Sequence, residues 1–265
     1  MVCCEMIQIE NEILERLDRV LGGGIPQMIF IDIDGVLTLS RGSYTLDLDA
    51  IELMRRAENL GVPVCLTSGN SYPTVLTLQR YLGLTPIFIA ENGCIVQIER
   101  RLIKLCRESL DSIVDKISEI FKLQPSDSNM YRLCDRAFRV PQDLKADISR
   151  VRELEKRIAE LFPDIHAMYT GYVLHIYPRG CGKGRAMEIL AKEIGVDLLK
   201  SIAIGDSVTD IDMLETAGLA VVVGDADSEA KESADIVLPY RASESTKFFL
   251  GTLIRYVDKK LRSRI

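Results

Sequence analysis

The chain is expected to be an α/β protein: a doubly wound, Rossmann-like parallel sheet core with an inserted α+β cap domain. Three observations predict this. Short apolar runs ending in acidic or small polar residues recur as MIFIDID (28–34), VPVCLTSGN (62–70) and PIFIAENG (86–93). Such runs suit strands buried on both faces of a parallel sheet. Stretches of helical spacing alternate with them, giving β-α-β-α-β order. That grammar stops near residue 94 and resumes near 179.

Residues 7–21 are expected to form an amphipathic helix that ends at Gly22, Gly23 and Gly24. After the first strand, residues 47–60 place Leu48, Ile51, Met54 and Leu60 at helical spacing. A second helix over 71–82 leads into the third strand. In the central region, 95–98 and 102–105 read as a hairpin. Residues 108–121 carry an apolar stripe of Leu110, Ile113, Val114, Ile117, Ile120 and Phe121. RAFRV (136–140) reads as a strand, 143–162 as one long charged helix, and 165–178 as two strands around Thr170 and Gly171. The alternation then returns: helix 184–194, strand 201–205, helix 210–217, strands in LAVVVG and DIVLP, and a closing helix from about 244. The expected division is core at 1–93 and 179–265, with 1–25 as an extra N-terminal segment, and cap at 94–178.

The 265 residues carry a formal net charge of −6 with 47% hydrophobic content. An acidic balance argues against a general nucleic-acid partner. No apolar run approaches the ~20 residues of a membrane span. The start lacks the basic stretch of a signal peptide, so a cytoplasmic location is expected. A homodimer is compatible with this composition. Seven cysteines without a CxxC pair predict reduced thiols. The only histidines, His166 and His175, read as structural, and the basic end DKKLRSRI as a solvated helix terminus.

The chemistry gathers at strand ends, where ligands bind in open α/β sheets. Asp32 and Asp34 are two apart on one strand and so share a face. About 7 Å of rise separates them, and their charges repel by roughly 2 kcal/mol at an effective dielectric near 20. Strand two ends in Thr67, Ser68, Gly69 and Asn70, strand three in Glu91 and Asn92, and the SIAIG strand in Asp206, Ser207 and Asp210. Lys183 opens a helix just before that last strand. Each piece alone has a plainer reading as a turn, a helix cap or a surface lysine. Their joint order argues for one site. Clustered carboxylates call for a cation, and oxygen ligands suit Mg²⁺. With the cation present the local charge inverts and a phosphate can approach.

On these residues the chain resembles the haloacid dehalogenase-like phosphatases. Their first motif is matched by Asp32-Ile33-Asp34-Gly35-Val36, the second by Ser68, the third by Lys183, and the fourth by Gly205-Asp206-Ser207 with Asp210. LTSGN, AENG, GCGKG and GDSVTDIDM look most like the archaeal phosphoglycolate phosphatase group. Thr209 departs from the pattern, where these phosphatases often carry Asn. The resemblance implies that Asp32 is the nucleophile and Asp34 the general acid and base. It implies that Asp32, the Asp34 backbone carbonyl and Asp206 hold Mg²⁺, with Asp210 directly or through water. Ser68, Gly69, Asn70 and Lys183 would bind the substrate, a small phosphorylated metabolite, with 2-phosphoglycolate the leading expectation. Arg132, Arg136, Arg139 and Arg179 are candidates for its carboxylate. A sugar-phosphate phosphatase, or less so a phosphohexomutase, is the alternative within this superfamily. A receiver-like signalling domain that phosphorylates an aspartate is the alternative from another class.

Overall fold

The computed structural model describes residues 2–263. The chain begins with α1 (Val2–Leu21), β1 (Ile29–Ile31), α2 (Leu48–Asn59), β2 (Val64–Thr67), α3 (Tyr72–Leu82), β3 (Ile87–Ala90), β4 (Ile95–Ile98) and β5 (Arg101–Lys104). A second block follows: α4 (Asp111–Phe121), β6 (Gln124–Pro125), β7 (Arg136–Arg139), α5 (Gln142–Lys145), α6 (Ile148–Leu161), β8 (Ile165–Tyr169) and β9 (Val173–Pro178). The chain returns through α7 (Lys183–Ile194), β10 (Ile202–Gly205), α8 (Ile211–Thr216), β11 (Leu219–Val222), α9 (Ser228–Glu232), β12 (Ile236–Val237) and α10 (Ala242–Arg262).

The large sheet has the order β12-β11-β10-β1-β2-β3-β4-β5. Its first six strands are parallel, and β4 and β5 close one edge antiparallel. Burial explains why the central runs contain no alternation. Ile29, Phe30 and Ile31 are all fully buried, because helices cover both faces; each such side chain contributes about 1.5–3 kcal/mol relative to exposure. In register, Ile29 faces Ile202 on one side and Val64 on the other. From β1 the chain winds outward through β2 and β3, whereas β10, β11 and β12 lie on its other side. The strand order therefore reverses between β1 and β10, the position where open sheets form a crevice at their carboxyl ends.

The hairpin at 95–104 corrects the expected boundary. β4 pairs with β3 throughout Ile87–Ala90, so both hairpin strands belong to the large sheet rather than to the insert. Their apolar residues, such as Ile95 and Val96 with no exposure, continue the core. The second sheet, β6-β7-β9-β8, lies wholly between residues 124 and 178. It has its own apolar cluster, which includes Leu110, Ile117, Phe138, Val151, Ile158, Leu174 and Ile176. The helix expected over 143–162 is two helices. Asp147 interrupts it and caps α6, its carboxylate accepting the Ser149 amide at 3.0 Å.

α1 reaches further back than the expected 7–21. Its Ile13, Leu17 and Leu21 are buried against α10 and β11. Asp18 ties it to α10 by accepting from the Tyr256 hydroxyl at 3.0 Å and pairing with Lys260 at 2.6 Å. The basic C-terminal stretch continues α10 to Arg262; Arg264 lies outside the described residues. The thiol expectation is also corrected, because Cys106 and Cys134 form a disulfide with Cα atoms 5.6 Å apart. Cys65, Cys94 and Cys181 are free and buried, and the side chains of Cys3 and Cys4 lie outside the described part.

Candidate active site

Asp32 leaves the end of β1 and is nearly buried. Lys183, the first residue of α7, is also buried, and its ammonium donates to Asp32 Oδ1 at 2.9 Å and Asp210 Oδ1 at 2.5 Å. The lysine is aimed by its own backbone: the Gly184 amide donates to Asp212 Oδ2 at 2.9 Å. A Cβ at Gly184 would meet the Asp212 carbonyl at 2.3 Å, so close helix packing here requires glycine. Asp210 Oδ2 accepts the amides of Asp206 and Ser207 at 2.9 and 3.1 Å, which folds the loop after β10 back on itself. Gly35 has φ near +80°, and a Cβ there would lie 2.3 Å from Asp206 Oδ2. The glycine of the first motif therefore makes room for the acid of the fourth.

Asp34 points away from this cluster. Its Oδ2 accepts from Asn70 Nδ2 at 2.6 Å, and the Asn70 side chain also donates to Ser68 Oγ at 3.1 Å. Gly69 lies directly beneath Asn92; a Cβ would stand 2.6 Å from its Oδ1. Asp32, Asp34, Gly69, Asn70, Lys183 and Asp206 all line one cleft of roughly 600 Å³. Ser68 and Asp210 sit just behind its wall. The structure thus brings Asp32, Asp34, Ser68, Gly69, Asn70, Lys183, Asp206 and Asp210 together, with the Asp34 carboxylate turned to Asn70 rather than to the Lys183 cluster.

The electrostatics follow from burial. Burial pushes the Asp32 carboxyl up to about 7; Lys183 opposes this, while Asp210 and Asp34 add to it. Burial also holds Asp206 well above the usual carboxylate range, helped by Asp210 and Asp32 and opposed by Arg41. Lys183 would lose its proton more easily from burial alone, but the Asp210 and Asp32 charges hold it above its ordinary value. Burial raises Asp34, and the Asn70 hydrogen bond partly offsets it. Asp32, Asp206 and Asp210 each offer an oxygen within 4.8 Å of the others. Three carboxylates against the Lys183 ammonium and the Arg41 guanidinium leave one negative charge in excess, and the candidate ligand atoms are all oxygen. That set fits a hard divalent cation such as Mg²⁺. Asp210 offers one of these oxygens while also accepting from Lys183 and the loop amides.

Several residues at the site have no signal in the sequence pattern. Arg41 pairs with Asp206 Oδ2 at 2.7 Å and Asp227 Oδ1 at 2.9 Å. It stands nine residues past Asp32 in a loop without periodicity. Asp135 is fully buried and receives Arg132 at 2.6 Å, His175 Nδ1 at 2.9 Å and Asn92 Nδ2 at 2.9 Å. His175, expected to be structural, lines the cleft as well as anchoring Asp135. Of the four arginines proposed for a carboxylate, only Arg132 reaches the cleft. Arg136 pairs with Asp111 at 2.8 Å, Arg139 with Asp127, and Arg179 donates to the Pro163 carbonyl. Thr209 is occupied with the Ser207 hydroxyl at 2.7 Å. Glu91, fully buried, accepts the amides of Tyr72, Leu133, Cys134 and Asp135.

A model of the haloacid dehalogenase-like hydrolases matches residues 29–139 and 127–247. The chain is 35% identical over 228 residues to a phosphoglycolate phosphatase of Sulfolobus acidocaldarius, covering 86% of this chain and 96% of that protein. It is 37% identical over 216 residues to a phosphoglycolate phosphatase of Aeropyrum pernix, covering 81% and 87%. A solved structure from Thermoplasma acidophilum is 26% identical with a TM-score of 0.75, covering 86% of this chain and 98% of that one. A haloacid dehalogenase-like hydrolase from B. subtilis, 19% identical with a TM-score of 0.69 over 85% of this chain and 99% of that one, shares the fold. The chain belongs to the haloacid dehalogenase-like hydrolases.

Proposed function

We propose that this hydrolase is a Mg²⁺-dependent phosphomonoesterase that works through an aspartyl-phosphate and acts on 2-phosphoglycolate. The observation that carries the reading is the Lys183 ammonium, buried between Asp32 and Asp210, with Asp34 held apart by Asn70. That arrangement separates two carboxylates into two roles. Asp32 attacks phosphorus, and the ester oxygen departs with a proton from Asp34, whose raised pKa suits an acid. Asp34, now ionised, takes a proton from water, which attacks phosphorus and frees Asp32 and inorganic phosphate. Lys183 and Ser68 stabilise the oxygens of the transferring group.

Asp32, the Asp34 carbonyl and Asp206 would hold Mg²⁺, which supplies charge neutralisation for the phosphoryl oxygens. Arg41 keeps Asp206 oriented. The four-stranded module, with its linkers near 105–110 and 178–182, serves as a cap over the cleft and selects the leaving group. No described helix is long and apolar enough to cross a membrane. The two similar phosphatases named above support the choice of 2-phosphoglycolate.

A panel of phosphate monoesters assayed in EDTA and then in excess Mg²⁺ tests this. Turnover only with Mg²⁺ and a preference for 2-phosphoglycolate are expected. Full activity in EDTA overturns the metal assignment. A sugar phosphate preferred by about tenfold, or 1.4 kcal/mol in transition-state binding, overturns the substrate.

A further inference from the structure

The turn between β8 and β9 hangs over the cleft and carries Tyr172. Its hydroxyl is buried and has no hydrogen-bond partner among the described residues. The Gly42 backbone is near, and influences the phenol, but does not meet it in hydrogen-bond geometry. The groups whose charge acts on this phenol are Asp34, Tyr44 and Asp206, in that order. A buried, unpaired hydroxyl costs about 1–3 kcal/mol of desolvation, so such a group facing a cleft points to a ligand atom.

The other polar side chains that the module presents to the cleft each have at least one partner. Ser126 and Ser128 bond each other at 3.0 Å, and Arg132 is spent on Asp135 and the Gly69 carbonyl. His175 is held by Asp135 through Nδ1, and Thr170 bonds the Val173 carbonyl at 3.3 Å. Tyr172 is also held in place. The Tyr169 hydroxyl donates to the Gly171 carbonyl at 2.7 Å, Lys145 to the Tyr172 carbonyl at 3.0 Å, and the ring lies 5.9 Å from that of Tyr44 across the cleft. A donor fixed in this way binds without ordering cost.

We infer that Tyr172 is a specificity-determining residue whose hydroxyl donates to the first polar group of the leaving alcohol beyond the ester carbon, a carboxylate oxygen in a two-carbon phospho-acid. This rests on the reading above, in which Asp34 serves the ester oxygen. The phosphoryl group then lies on the Lys183 side, and the rest of the substrate extends past Asp34 toward Tyr172.

The test is Tyr172→Phe, which removes one oxygen and keeps the ring. One measures kcat/KM for 2-phosphoglycolate and for ethyl phosphate, which has the same two-carbon chain without the carboxylate, and forms their ratio in parent and variant. The ratio is expected to fall at least about tenfold, as for sites built to bond a substrate polar group. An unchanged ratio overturns the inference, whether both rates persist or both fall together. If the parent instead prefers a sugar phosphate, the substrate reading fails by itself. The same ratio taken with that sugar phosphate against ethyl phosphate then decides the role of Tyr172. Equal melting temperatures for parent and variant show that the fold is kept.

Discussion

The large sheet and the four-stranded sheet solve different problems. In the large sheet the charged groups of the site are held against one another in a largely buried frame, with negative charge left in excess. Asp32, Lys183 and Asp210 form a closed chain of contacts at 2.9 and 2.5 Å. In the smaller module the groups nearest the cleft brace the module and its joint to the core, and of its two buried hydroxyls without a partner among the described residues, Ser118 and Tyr172, only that of Tyr172 lines the cleft. The two units keep largely separate apolar clusters and meet through polar contacts around Glu91, Asn92 and Asp135. A frame that performs chemistry needs preorganised charge. A module that reads a substrate needs free donors and a joint that can open.

The contrast breaks most sharply at Asp32, the proposed nucleophile. Asp32→Asn keeps the size of the side chain, so the fold should persist while turnover falls below about 1% of the parent, given the usual scale of such losses. Circular dichroism alongside a phosphate-release assay checks both halves. Lys183→Met should be less selective. It strands Asp32 and Asp210 as buried carboxylates without their cation, an effect of about 3–5 kcal/mol. Both activity and melting temperature should drop, and an unchanged melting temperature would mean that the buried triad does not hold the frame.

The joint should respond more mildly. Glu91→Gln removes the carboxylate that receives the 133–135 amides, a loss of about 1–3 kcal/mol. Hydrogen exchange should quicken at Leu133, Cys134 and Asp135 and stay slow in β1 and β10. Equal quickening in both places would erase the distinction between frame and joint.

Acid should act on the same joint. Burial lowers the pKa of His175, although Asp135 opposes it, so the folded protein favours the neutral ring. Burial alone would raise Asp135, but Arg132 and His175 bring it below the usual carboxylate range. In both cases the unfolded chain binds protons first as pH falls, so stability is lost toward acid. The His175 part sets in below an ordinary histidine pKa of about 6.5. The raised carboxyls of Asp32 and Asp206 act in the opposite sense, gaining stability as pH falls, so the test is the difference in melting temperature between the parent and His175→Gln, which should shift against the parent below that point. A difference that does not change with pH would contradict the assignment.

How far the sequence could be read follows the same division. The strand-end acids, Ser68, Asn70 and Lys183 are legible because parallel strands force them to one edge, and a short apolar run marks each strand. The hairpin at 95–104 reads as part of the insert because a hairpin breaks βαβ grammar, while strand pairing is not written in local periodicity. Arg41, Asp135 and His175 act through contacts across 40 residues or more of chain, or from an irregular loop, and no spacing marks them. Arg136 and Arg139 look suited to a carboxylate by type and strand position. Nearby Asp111 and Asp127 claim them instead.

The central claim is that the frame carries out the chemistry through a phosphorylated Asp32, which Asp34 then hydrolyses. p-Nitrophenyl phosphate needs little acid help to leave, so Asp34→Asn should still form the adduct but fail to resolve it. Rapid mixing of this variant with p-nitrophenyl phosphate and Mg²⁺ should give a burst of p-nitrophenol equal to the enzyme present, then a stall. Mass spectrometry after acid quench should place one phosphoryl group on the peptide containing Asp32. Steady turnover without a burst, or a phosphoryl group on any other residue, would contradict the account.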